Sequence, residues 1–190
     1  MRNAIIVHGT CSRKEYYSDE FPSASNSHWL PWLQKQLLIR DIQAVTPEMP
    51  LAFAPDYKVW KREAERYEIG PETMLVGHSN GGGFWIRYLS EYPELRVGKV
   101  VLVAPWLDPN NIKQNDFFDF EYDPDLVSRT AGLTIFNSTD DHEGIQWSVQ
   151  WLCQLLSGWE YKSFENYGHF CYKDMGTVEF PELLQALTSD

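Results

Sequence analysis

Gly77-His78-Ser79-Asn80-Gly81 sets a serine at the centre of a GxSxG pattern. An apolar stretch, Met74-Leu75-Val76, runs into it, and a helix-period stretch from Phe84 to Tyr92 runs out. That strand–turn–helix context perches a serine hydroxyl on a sharp, strained turn, exposed for attack on a carbonyl. Side chains two positions before and after the serine would crowd the turn, so positions 77 and 81 call for glycine. The chemistry implied is acyl transfer. A serine hydroxyl is a weak nucleophile near neutral pH, so the chain must also supply a base and a carboxylate to orient it.

Of five histidines, only His142 and His169 follow Ser79. His169, in Tyr167-Gly168-His169-Phe170, falls in a loop between a weak strand and a terminal helix, and is the expected base, with His142 the alternative. Three carboxylates compete for the orienting role. Asp140 and Asp141 directly follow the apolar run ending at Phe136, and Asp108 follows the run ending at Val103. The oxyanion of the intermediate needs two backbone N–H donors. Asn80, after the serine at the start of a helix, is one. Thr10, in His8-Gly9-Thr10 behind the first apolar run, is the other. His8 and His78 read as structural. Cys11 and Cys171 lie in sequence beside these groups and read as inert small apolar side chains.

Buried-type strands are expected at 3–7, 73–77, 99–103 and 132–136, because these runs lack alternation. Weaker ones fall near 42–46 and 159–164. Amphipathic helices are expected at 28–40, capped at Ser27, and at 56–68, 82–91, 144–157 and 178–188. The alternation predicts an α/β chain with a mostly parallel sheet of about six strands, helices on both faces and one domain over 1–190. Two stretches escape it: a polar loop at 10–27 with Tyr16, Tyr17 and Phe21, and the aromatic, acidic run 105–130. Long loops of this kind build walls of sites. The run 105–130, with Phe117 and Phe118, is the expected acyl wall.

The chain of 190 residues carries 16 Lys and Arg against 27 Asp and Glu, a net of −11. That charge repels nucleic acid. The first apolar run is four residues, too short for a membrane span or a signal region. Three cysteines without CxxC spacing point to no disulfide framework and to a cytoplasmic setting. No metal-ligand spacing and no phosphate-cradling glycine loop occurs, so no metal or cofactor is expected.

Ile5-Ile6-Val7-His8-Gly9, Ser27-His28-Trp29-Leu30-Pro31-Trp32-Leu33, Pro47-Glu48-Met49-Pro50, Leu75-Val76-Gly77-His78-Ser79, Val100-Val101-Leu102-Val103-Ala104-Pro105, Ser138-Thr139-Asp140-Asp141 and Gly168-His169-Phe170 occur in this order. Together they resemble the small serine hydrolases of the retinoblastoma-binding protein nine type, within the α/β-hydrolase superfamily. The resemblance implies a compact hydrolase core with little or no cap and a triad of Ser79, Asp141 and His169. It puts the acid at the second aspartate of the pair. The expected activity is hydrolysis of a small-molecule ester, thioester or amide. The alternative is a protein-interaction module on the same fold, with a protein partner.

Overall fold

The computed structural model describes residues 2–108, 110–112 and 115–189. Six strands, β1 (Asn3–Val7), β2 (Gln43–Val45), β3 (Thr73–His78), β4 (Val100–Val103), β5 (Leu133–Ser138) and β6 (Glu160–Phe164), form one sheet in the order β2-β1-β3-β4-β5-β6. Every neighbouring pair is parallel. β3, β4 and β5 are buried throughout and β1 is buried from Ala4 onward, whereas the edge strands β2 and β6 alternate with exposed residues. This explains why four runs read as uniformly apolar and two as weak.

The helices are α1 (Arg13–Tyr16), α2 (Leu30–Leu38), α3 (Tyr57–Ala64), α4 (Asn80–Glu91), α5 (Glu143–Leu155), α6 (Tyr172–Met175) and α7 (Pro181–Thr188). Right-handed crossovers put α2 on one face of the sheet and α3, α4 and α5 on the other, because the chain steps outward from β1 to β2 and then reverses. α7 packs against α2. Large aromatics fill both layers. Trp60 Nε1 donates to Pro50 O at 2.9 Å and Trp85 Nε1 to Val76 O at 3.0 Å, so both rings are buried with their polar edge satisfied. The reversal between β1 and β3 leaves a crevice at their C-terminal ends, where the serine turn sits.

Some details differ from expectation. α2 begins at Leu30, not 28, because His28 takes a left-handed backbone (φ 58°) that no helix can include. Ser27 does not cap it; its hydroxyl donates to Ser23 O at 3.0 Å. Within the 10–27 loop, Ser12 and Glu15 form a reciprocal capping box around α1, a signature legible as Ser-x-x-Glu. Between β4 and β5 the described residues hold only two single-turn 3₁₀ helices, as a fold without an inserted cap requires. No helix among the described residues is long and apolar enough to cross a membrane.

Candidate active site

Ser79 has φ 54° and ψ −120°, a strained geometry for a non-glycine residue. Its neighbours over-determine it: its N–H donates to Val103 O at 2.9 Å, while its carbonyl accepts from Gly82 N at 2.9 Å and Trp106 N at 3.0 Å. A Cβ on Gly77 would stand 2.4 Å from Gly81 O, and one on Gly81 would stand 2.3 Å from Val7 O. Close packing of the turn against itself and against β1 therefore requires both glycines.

His169 Nδ1 lies 2.8 Å from Asp141 Oδ2. A carboxylate only accepts, so Nδ1 bears the proton and the neutral ring keeps its lone pair at Nε2. The Asp141 side chain is 1% exposed and that of His169 is 23% exposed, so the carboxylate is enclosed while the ring reaches the cavity. Asp141 Oδ1 accepts from His142 N at 2.7 Å. Asp140 points elsewhere: it accepts from Ser138 Oγ and, at 3.2 Å, from Gly168 N. The Ser138 hydroxyl holds its carboxyl below the usual range. Asp108 Oδ1 accepts from Ile112 N at 2.7 Å. His142 is more exposed, and its Nε2 is 4.0 Å from Asp141 Oδ1, beyond hydrogen-bond reach. Thus the structure brings Asp141 and His169 together and leaves Asp140, Asp108 and His142 in other roles.

The loop bearing His169 is fixed from both sides. His169 N donates to Asp174 Oδ2 at 3.2 Å, and Phe170, fully buried, stacks on Phe180 with centroids 5.6 Å apart. His78 Nε2 donates to His169 O at 2.8 Å. Burial holds the His78 ring far below its ordinary pKa, hence neutral. His8 is also neutral, its pKa lowered by burial. Its Nδ1 donates to Gly9 O at 2.7 Å and its Nε2 accepts from Met49 N at 2.8 Å, pinning the loop that carries Thr10. Both rings therefore position backbone.

Ser79, His169, His78 and Thr10 line one cavity of about 960 Å³. Among the described residues Ser79 Oγ has no hydrogen-bond partner, and neither Thr10 N nor Asn80 N has a protein acceptor. Asn80 opens α4, where the first N–H groups are unpaired and the helix dipole favours negative charge.

The cavity wall agrees with one of the two loops expected to form it, 10–27, and corrects the other, 105–130. It is built by the 10–27 loop, through Tyr16, Phe21 and Pro22, with His28, Glu48, Tyr172 and Lys173. None of the described residues of 105–130 lines it; Pro109, Lys113 and Gln114 lie outside the described residues. Phe117 is buried against Trp60, centroids 5.3 Å apart, and Phe118 covers the first turn of α4 beside Gly83. Phe117 and Phe118 thus pack on the α3–α4 face, while Tyr122 packs on Trp151 of α5 and Trp106 packs beside Gly144 of α5, which their chain position could not reveal. Glu48 accepts from Ser25 N at 2.9 Å and so ties the entry loop to the segment after β2. Cys11 and Cys171 border the cavity as protonated thiols: burial raises both, Cys171 to about 12. Among the described residues, one three-member group could hold a metal ion, namely Asp141, His142 and His169.

The chain is 26% identical to YdeN of Bacillus subtilis (strain 168) over 185 residues, covering 94% of this chain and 96% of YdeN. The crystal structure of the B. subtilis ydeN gene product superposes with a TM-score of 0.77 at 23% identity, covering 100% of this chain and 98% of that one. Est1E from Butyrivibrio proteoclasticus superposes with a TM-score of 0.63 at 11% identity, covering 98% and 85%. These structural likenesses are ones of fold, the α/β-hydrolase architecture. The serine hydrolase family model matches residues 20–189, from the entry loop through the His169 loop to α7, and the chain therefore belongs to the serine hydrolase family.

Proposed function

We propose that the protein hydrolyses a small ester, thioester or amide through an acyl-enzyme on Ser79. The observation that carries this reading is the 2.8 Å contact of His169 Nδ1 with the enclosed Asp141, with His169 and the strained Ser79 lining one cavity. In the reaction Ser79 Oγ attacks the carbonyl carbon as His169 Nε2 takes its proton. Asp141 holds the imidazole in that tautomer and stabilises the imidazolium. The N–H groups of Asn80 and Thr10 receive the oxyanion. The imidazolium then protonates the leaving group, and a water, activated by the same ring, releases the acid and regenerates Ser79. Family membership, and the esterases among its structural neighbours such as an esterase domain from Rhodothermus marinus, support ester chemistry.

The cavity is of the size that encloses a small ligand. Three free cysteines support a reducing, cytoplasmic setting. The finer likeness to the retinoblastoma-binding protein nine type is not carried by the relative and structures described above, YdeN and Est1E. A panel of acyl esters of increasing chain length, with thioester and amide analogues, tests the reading. Turnover of at least one series is expected. Absence of turnover across the panel, with Ser79 unlabelled by a fluorophosphonate, overturns it and leaves the interaction module.

A further inference from the structure

Asp141, His142 and His169 each bring one ligand atom to within 4.8 Å of the others. His142 takes no part in the reaction above. Its ring centroid is 5.3 Å from that of His169, its side chain is 57% exposed, and its ring nitrogens make no hydrogen bond among the described residues. The geometry points to an inhibitory transition-metal site in which a divalent cation such as Zn²⁺ is held by His142, Nδ1 of His169 and the Asp141 carboxylate.

Two imidazoles and a carboxylate form a donor set for zinc, copper or nickel, not for magnesium or calcium. Ligand atoms of a tetrahedral zinc centre, each ~2.0–2.1 Å from the metal, stand about 3.3 Å apart. The Nδ1 to Oδ2 pair, now at 2.8 Å, needs to open by roughly half an ångström. The exposed His142 ring has the freedom to swing in, and water fills the fourth position.

The proton balance makes the site inhibitory. In the metal-free ring Nδ1 carries the proton and Nε2 the lone pair. A metal takes the lone pair at Nδ1, so the proton moves to Nε2 with no net gain or loss. An Nε2 that carries a proton cannot accept one from Ser79. Binding is independent of the proposed reaction, but inhibition rests on it.

Equilibrium zinc binding to the metal-free protein, measured beside ester turnover, tests this. Wild type is expected to bind one Zn²⁺ and lose turnover as it does so. Ser79→Ala is expected to bind with unchanged affinity. His142→Ala is expected to keep metal-free turnover and to bind at least tenfold more weakly, with half-inhibition shifted by the same factor. His142→Cys, which supplies a thiolate ligand, is expected to restore tight binding. No zinc binding by wild type, or equal affinity in His142→Ala, overturns the site. Zinc binding that depends on His142 in a protein that hydrolyses nothing supports the site and defeats the hydrolase reading alone.

Discussion

His78 Nε2 donates at 2.8 Å to the backbone carbonyl of His169, so the residue before the serine grips the residue proposed as its base. The two halves of the site are thereby registered through one buried ring, although 91 positions separate them.

Ser79→Ala is expected to abolish labelling by a fluorophosphonate and to reduce ester turnover to the residual ~10³–10⁴-fold over water that binding and the oxyanion donors sustain. Unchanged labelling in that variant would reassign the nucleophile.

Asp141→Asn is expected to fold normally and lose roughly 10⁴-fold in kcat, because an amide stabilises the wrong tautomer of His169. Asp140→Asn should leave kcat within a few-fold and lower the melting temperature only slightly, through its weakened bonds to Ser138 and Gly168. Steady-state kinetics with parallel thermal melts separate the two; the reverse pattern would move the acid to Asp140.

Gly9→Ala puts a Cβ 2.8 Å from the Cβ of Ser79. The serine turn has to yield, and a displacement of the order of 1 Å costs ~10²-fold in rate. The expected result is a fall in kcat, and wild-type kcat in a folded variant would show that the turn tolerates the push.

Stability should depend on pH through the buried histidines. Burial lowers His8, His28 and His78 from 6.5, so below that pH the unfolded chain binds protons that the folded chain does not. Their contribution is therefore full above pH 6.5 and declines as the pH falls below it. A Tm falling between pH 6.5 and about 5 is expected. His78→Gln, which keeps a donor for His169 O, should shallow that slope. An unchanged slope would assign the dependence to other groups.

Phe21→Ala and Tyr172→Ala should alter acyl chain-length preference, since both side chains line the cavity. Phe117→Ala should leave preference intact and destabilise the protein by roughly 3–5 kcal/mol. Kinetics across an ester series in folded variants decide the point.

Much of this arrangement was legible in the chain. Ser79 was readable because a sharp turn between an apolar strand and a helix leaves glycines at fixed offsets, and the four inner strands because burial on both faces leaves uninterrupted apolar runs. The wall was not. Phe117 and Phe21 are both aromatics in long loops, and whether such a ring faces core or cavity is decided by tertiary partners such as Trp60, which local pattern does not encode. His28 escaped for a related reason: its left-handed backbone is imposed by the chain's turn onto α2, and a histidine does not advertise it.

Gly81, Gly82 and Gly83 open α4, and glycine disfavours helix by ~1 kcal/mol per residue relative to alanine. The first turn of α4 is thus a poor helix left to itself. Its order comes from contacts that only the assembled sheet provides: added Cβ atoms at 82 and 83 would meet Pro105 Cβ at 2.9 Å and Trp106 O at 2.0 Å. The consequence is one of timing. The C-terminal half of α4, with Trp85, Ile86 and Leu89, is expected to condense early on β3, and the turn beneath Ser79, which rests on Val7 and Pro105, is expected to close only after β1 and β4 have docked. Substitutions at 81–83 should therefore raise the unfolding rate and barely change the folding rate, and the turn carrying Ser79 would be among the last parts of the chain to reach its final geometry.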